Sequence, residues 1–444
     1  MGAGGVLAFG GLNLLNASGG SAARPGGTAV RYPLRRLAVT TPGALRAAPG
    51  YVDIGGGTSV GALLYNGSTP GPLFAVQSGA SVEIPFTNAL ADPTTVHWHG
   101  LVVPTAMDGQ PQDPVAPNSS YTYAFPVNQR AGFSWYHPHP HMLTSSQVAY
   151  GLAGGFVIRD AEEDALGLPS GAYEVPLVLR DANIDKAGNL AYNGTASGFT
   201  GKVLLVNGTR DPYLATQPAV HRFRILAGSN SRVFRLALST GAPFTLIGND
   251  GGLLPSAAQV SEIEVSPGER VDVIVDLRAA AGTTVLLRDL NSGWTILELR
   301  VDNAPPVAGT LPPGTLSTIV PLGTPSTTRT FSFDGMTRIN GRLFDPDRVD
   351  FTVPVGEVED WVFTTNGNAP HPVHVHGASF QVMARTGGRN RTFPWESGWK
   401  DTVLLADGET VRVRIRFALT GRYLIHCHKL EHEDAGMMAN FLVV

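Results

Sequence analysis

Ten of the chain's 12 histidines fall in four short motifs. These are His97-Trp98-His99, His137-Pro138-His139, His371-Pro372-Val373-His374-Val375-His376, and His426-Cys427-His428 followed by His432. A lone His-x-His is weak grounds for a metal site. Four in one chain are hard to attribute to packing, because a buried imidazole needs a partner and histidines without a task scatter along a sequence. Imidazole suits copper, zinc and iron. The single cysteine, Cys427, excludes an internal disulfide and lies between two of these histidines.

Side chains alternate across an extended strand with period two. His97 therefore shares a face with His99, His137 with His139, His374 with His376, and His426 with His428. Cys427 points the other way. His371 lies three residues before His374 and also faces away from that pair, with Pro372 favouring an extended His371. Two sites follow. One gathers eight imidazoles: His97, His99, His137, His139, His374, His376, His426 and His428. The other collects Cys427, His371 and His432, with Met437 next along. Two histidines, a cysteine and a weak axial methionine form the blue-copper ligand set. Cys427 joins the two sites covalently, so an electron arriving at its sulfur has only a few bonds to cross.

The elements that must position these residues read as short strands. Ser81–Thr87, Tyr121–Phe125, Arg222–Leu226, Arg270–Asp276, Val285–Leu290 and Thr410–Phe417 alternate apolar and polar residues between Gly-, Pro- and Asn-bearing turns. This predicts all-β sandwiches. Only Ala161–Leu168 suggests a turn or two of helix. Of the 444 residues, 43% are hydrophobic and 15% charged, with Gly 53 and Pro 33, which excludes a disordered chain and long-helix architectures. A net charge of −4 without basic runs speaks against nucleic acid. No apolar run is long enough for a membrane span.

Breaks near 160–169 and in the proline-rich stretch 302–325 divide the chain into 31–163, 164–304 and 326–444, with 305–325 as an extended linker. Residues 1–30 read as a leader or tail, since the apolar stretch Val6–Ala17 is similar to the core of an export signal. The first and last segments repeat each other. VEIPFTN…VHWHG is matched by VEDWVFTTN…HPVHVHG, and SWYHPH by RYLIHCH. The middle segment has a related opening, FRILAGSN, without paired histidines. Repetition of this kind means one supersecondary unit used several times. The chemistry then sits where the first and last segments meet.

These four motifs, together with INGRLFD (339–345) and GWKDTVLL (398–405), resemble those of the multicopper oxidases, specifically three-domain bacterial laccases and copper-efflux oxidases. The resemblance spans nearly the whole chain after about residue 40. It implies three cupredoxin-like Greek-key β-sandwich domains and four coppers per chain: one type 1, one type 2 and two type 3. By position it makes His371, Cys427, His432 and Met437 the type 1 ligands, and His97 and His374 the type 2 ligands. His99, His137, His139, His376, His426 and His428 become the type 3 ligands. His141 extends the second motif, but the family pattern uses the first two histidines. His221 reads as structural.

The same resemblance gives two acids a catalytic part in moving protons to dioxygen: Asp108, in an Asp-Gly turn, and Glu433, directly after His432. Glu431 and Asp434 are lesser candidates. The implied activity couples one-electron oxidation of phenols or aromatic amines to four-electron reduction of dioxygen to water. A cuprous-ion oxidase is the nearer alternative, although Asn366-Gly367-Asn368-Ala369-Pro370, before His371, holds neither the Asp nor the Met that such members carry. A copper-free cupredoxin scaffold is the non-enzymatic one. Small aromatic reductants or metal ions are the implied donors, chosen by loops such as Arg385–Trp399. The family is exported to the periplasm, cell surface or medium, often by a twin-arginine route, whose signal would be trimmed here.

Overall fold

The computed structural model describes residues 30–365 and 370–444. The leader reading of residues 1–30 falls outside this range apart from Val30, and so do Asn366–Ala369.

The alternating runs are strands of six sheets, which pair around three main cores. Strands 59–65, 45–53, 80–88 and 120–127 form one sheet, and 39–40, 73–77, 154–159 and 132–136 a second. Their inward residues, among them Ile84, Phe86, Tyr136 and Phe156, share one core with Trp98. A six-stranded and an eight-stranded sheet enclose a second core, including Leu177, Phe223, Val273 and Leu297. Two five-stranded sheets enclose the third, around Trp361, Phe380, Val413 and Phe441. The fold is therefore all-β with cupredoxin-type sandwiches, as the strand pattern and the resemblance imply.

Four local expectations need revision. Tyr32–Pro33 pairs with Pro212–Tyr213, so the start of the expected first segment lies in a sheet of the middle one. The stretch 305–325 holds no strand but is pinned to the middle unit, with Val307 N donating to Pro218 O (2.9 Å) and Leu316 N to Pro255 O (3.0 Å). Strand Val220–Ala227 is buried on both faces. Its polar side does not meet water: Arg222 and Arg224 each ion-pair with Glu163 (3.0 and 2.6 Å). Glu163 itself lies in helix Ala161–Asp164, shorter than the stretch read from sequence. Two further short helices, Thr144–Ala149 and Leu430–Asp434, have no expectation in the strand pattern.

The decisive register is in the third unit. Strand His371–Val375 pairs antiparallel with Gly421–Cys427, setting Val373 opposite Cys427 and His374 opposite His426. Opposed residues share a face. Cys427 and His371 therefore lie on the core side, and His374 and His426 on the other. In the first unit, His97 and His137 exchange backbone hydrogen bonds (2.8 and 3.1 Å). That bridge sets the first two histidine motifs side by side.

Candidate metal centres

Both groups read from strand parity come together. Cys427 Sγ lies 3.5 Å from His371 Nδ1 and 3.6 Å from His432 Nδ1, and these nitrogens are 3.2 Å apart. All three residues are buried. His432 arrives on helix Leu430–Asp434. Cys427 N donates to Met437 O (3.1 Å) and Met437 N to His432 O (2.9 Å). Met437 packs in the same core as Cys427, whereas Met438 packs with Phe344 and Leu424. The two methionines thus face different surroundings, and Met437 is the one on the Cys427 side.

The eight other imidazoles are also buried and adjacent. His97, His99 and His137 converge, as do His97, His374 and His376, and His139, His376 and His426. His428 joins through His99 and His137, at ring separations of 4.8 and 5.2 Å. The outer nitrogens are tied down. His97 Nδ1 meets Asp108 O (2.9 Å), His137 Nδ1 meets Pro138 O (2.9 Å) and His374 Nδ1 meets Asp401 O (2.8 Å). A carbonyl only accepts, so each of these rings carries its proton outside and turns Nε2 inward. His97, His137 and His374 Nε2, His99 Nδ1 and both nitrogens of His428 are buried without a hydrogen-bond partner. Buried polar atoms are nearly always paired, so such a concentration of inward lone pairs fits metal ions.

The electrostatics agree. Burial pushes His139 and His426 down to about 3, His371 to about 4 and His432 to about 2. It holds His99, His137, His374, His376 and His428 well below the ordinary histidine value. These rings are neutral, as a metal ligand must be. Burial also pushes the Cys427 thiol up to about 12, so a thiolate there needs a cation beside it.

The two sequence-assigned acids flank the imidazoles. Asp108 Oδ2 accepts from His376 Nδ1 (2.8 Å) and Gln110 Nε2 (2.6 Å), and Oδ1 lies 3.2 Å from His97 Nδ1. Glu433 lies 3.4 Å from His139 Nδ1 and 3.3 Å from His426 Nδ1. Both carboxyls are buried, and burial raises both above the ordinary carboxyl value. Helix residues diverge by about 100°. The adjacent His432 and Glu433 therefore face different sites. Glu431 accepts from Asn230 Nδ2 (2.8 Å), and Asp434 from Thr144 N (3.1 Å) and Ser145 N (2.9 Å).

His141 sits half-buried beside Phe344, outside these groups. His221 is held by Thr216 Oγ1 (2.6 Å) and Ala219 O (3.1 Å), a structural role. The segment Arg385–Trp399 is turned toward the middle unit, with Asn249 Nδ2 donating to Trp395 O (3.1 Å) and Gly251 N to Trp399 O (3.0 Å). Sequence reasoning assigned no role to Asp401, whose Oδ1 lies 3.0 Å from His99 Nε2, or to Arg270, which pairs with that carboxylate. The available signal was the charged pair Lys400-Asp401 before an apolar run.

Comparison with known proteins agrees with this geometry. A family model described as Multicopper oxidase matches residues 319–444, and a second so described matches 47–163. The chain is 35% identical over 390 residues to a multicopper oxidase of Staphylococcus haemolyticus, covering 86% of this chain and 83% of that one. It is 37% identical over 424 residues to a bilirubin oxidase of Albifimbria verrucaria, covering 88% and 74%. The crystal structure of a multicopper oxidase from Pediococcus acidilactici superposes with a TM-score of 0.88 at 34% identity, covering 94% of this chain and 92% of that one.

Proposed function

Because the chain belongs to the multicopper oxidase family, and is thus a copper-dependent oxidoreductase with dioxygen as acceptor, we propose that it takes single electrons from small phenols or aromatic amines. Bound copper supplies the redox chemistry: donor oxidation at the Cys427 site and four-electron reduction of dioxygen to water at the imidazole cluster. His371, Cys427, His432 and Met437 hold one ion. The eight remaining histidines hold three, with His97 and His374 the type 2 pair. Asp108 keeps the His97 and His376 rings in place, and Glu433 holds a proton at the edge of His139 and His426.

One observation carries this reading. Cys427 faces one buried donor set, while His426 beside it in the strand faces the other. Adjacent residues of one strand thus connect the two sets covalently. Full sets of inward, neutral donors also weigh against a copper-free scaffold. Metal analysis separates the readings by ligand count: about four coppers per chain for an oxidase, and none for a scaffold.

Donor class is tested by comparing steady-state turnover of a methoxyphenol with that of cuprous ion. We expect the higher kcat/KM with the methoxyphenol; the reverse order would favour the copper-tolerance role. The axial position gives a second expectation. A thioether donates weakly to the metal and tunes its potential. Met437→Leu should raise the potential of the Cys427 site and Met437→Gln should lower it, as read by redox titration. No change in either variant would remove Met437 from the ligand set.

The family resemblance supports an exported location, periplasmic, cell-surface or extracellular, as does the export-signal-like sequence Val6–Ala17, which lies outside the described residues. Among the described residues no helix is long and apolar enough to cross a membrane.

A further inference from the structure

We propose that the middle unit, which supplies none of the ligand histidines, positions the imidazole cluster through Arg270 and Asp401. The inference rests on the reading that the eight imidazoles hold copper.

Arg270 opens strand Arg270–Asp276 and is completely buried. A guanidinium has five N–H donors, and here each has an acceptor. Nε donates to Phe133 O (2.8 Å). Nη1 donates to Gly268 O (2.8 Å) and Asp401 Oδ1 (2.8 Å). Nη2 donates to Asp250 O (3.1 Å) and Asp401 Oδ2. One side chain thus ties a first-unit strand, its own loop and the third unit together beside the cluster.

Asp401 passes that constraint on to two ligands. Its Oδ1 lies 3.0 Å from His99 Nε2, and its backbone carbonyl 2.8 Å from His374 Nδ1. Neither oxygen can donate. His99 therefore carries its proton on Nε2 and turns Nδ1 inward, while His374 carries its proton on Nδ1 and turns Nε2 inward. These inward atoms are two of the partnerless ones. Thr402 Oγ1 donates to Asp401 Oδ1 (2.9 Å) and lies 3.1 and 3.2 Å from the same two ring nitrogens. A second contact locks this segment to the middle unit: Lys400 Nζ lies 2.9 Å from Asp250 Oδ2 and 3.2 Å from Glu269 Oε1.

Two glycines show how closely the parts meet. A Cβ on Gly100, which ends His97-Trp98-His99-Gly100, would lie 2.6 Å from Arg270 Nη2 and 2.9 Å from Asp401 Oδ2. A Cβ on Gly268 would lie 3.0 Å from His99 Cε1 and 3.1 Å from His428 Cδ2. Both residues have positive φ. Middle-unit backbone therefore lies directly against two ligand rings, with no room for a side chain.

Outer partners of metal-bound histidines typically contribute about 10–100-fold to metal affinity. The test uses the full-length copper-loaded protein and the variants Arg270→Gln, Arg270→Lys and Asp401→Asn. Chelator competition reads affinity, electron paramagnetic resonance reads the type 2 copper, and blue absorption reads the Cys427 site as an internal reference. In Arg270→Gln and Asp401→Asn, cluster affinity should fall about 10–100-fold and the type 2 signal should change, with the blue band intact. Arg270→Lys should not rescue, because it restores charge without the two-pronged geometry. Rescue by lysine would overturn the positioning role in favour of charge alone. Wild-type affinity and spectra in both other variants would overturn it outright. Should Arg270→Gln fail to fold, Asp401→Asn, with nearly the same shape, decides. A wild-type chain holding copper only at Cys427 would overturn the ligand reading and this proposal with it.

Discussion

Cys427→Ser will give a colourless protein that no longer oxidises a methoxyphenol, yet still holds most of its copper. The sulfur is the thiolate ligand of this set, at 3.5 and 3.6 Å from the His371 and His432 Nδ1 atoms. A hydroxyl in its place is a hard, weak donor to copper and lacks the thiolate that colours such sites. The substitution leaves the backbone pairing of residue 427 with Val373 untouched, so His426 and His428 keep their places. Metal analysis should therefore show about three coppers remaining of the four that the donor sets imply. Visible spectroscopy and the donor assay read the loss, which should reach the detection limit of both. A variant that stays blue would show that Cys427 is not the ligand.

Glu433→Gln is expected to separate electron entry from the consumption of dioxygen. Glutamine keeps the shape beside His139 and His426 and removes the transferable proton. The His371, Cys427 and His432 donor set is unaltered, so the blue band should still bleach at the wild-type rate when reductant is added without air. On admitting air, colour should return more slowly by about 10²–10⁴, the usual contribution of a positioned acid. Stopped-flow absorbance measures both phases. Glu162→Gln, at an exposed carboxylate 3.4 Å from Arg130, is the control and should reoxidise normally. Wild-type reoxidation in Glu433→Gln would leave Asp108, or water, as the proton source.

Much of the site was legible in the sequence because a strand converts spacing into direction. His374 and Val373 differ by one position and so face opposite sides, and the register that opposes them to His426 and Cys427 preserves that division. The rule holds even where no ladder forms: His97 and His99 both turn inward around a buried Trp98, although only His97 makes a bridge. Residues outside the rule were not legible. Helix Leu430–Asp434 has five residues, too few for a 3.6-residue period to show, yet it aims His432 and Glu433 apart. Asp401 and Arg270 are 131 positions apart in the chain and meet only because the middle and third units pack together. Arg222 and Arg224 read as a wet strand face, because alternation within one strand does not show that Glu163, Glu174 and Asp272, from three other elements, pack against it.

The His99–Asp401 contact bridges 302 residues of chain. The imidazole cluster is thus incomplete in a growing polypeptide until the strand that carries His426 and His428 has been made, so its full donor set cannot take up metal early in synthesis. Ordering contacts this remote costs closure entropy before any stabilisation is gained, which slows assembly relative to locally connected folds. Once formed, the cluster reverses the balance. An ion bound only by the folded chain stabilises that state by mass action, so copper acts as a clasp between the first and third units.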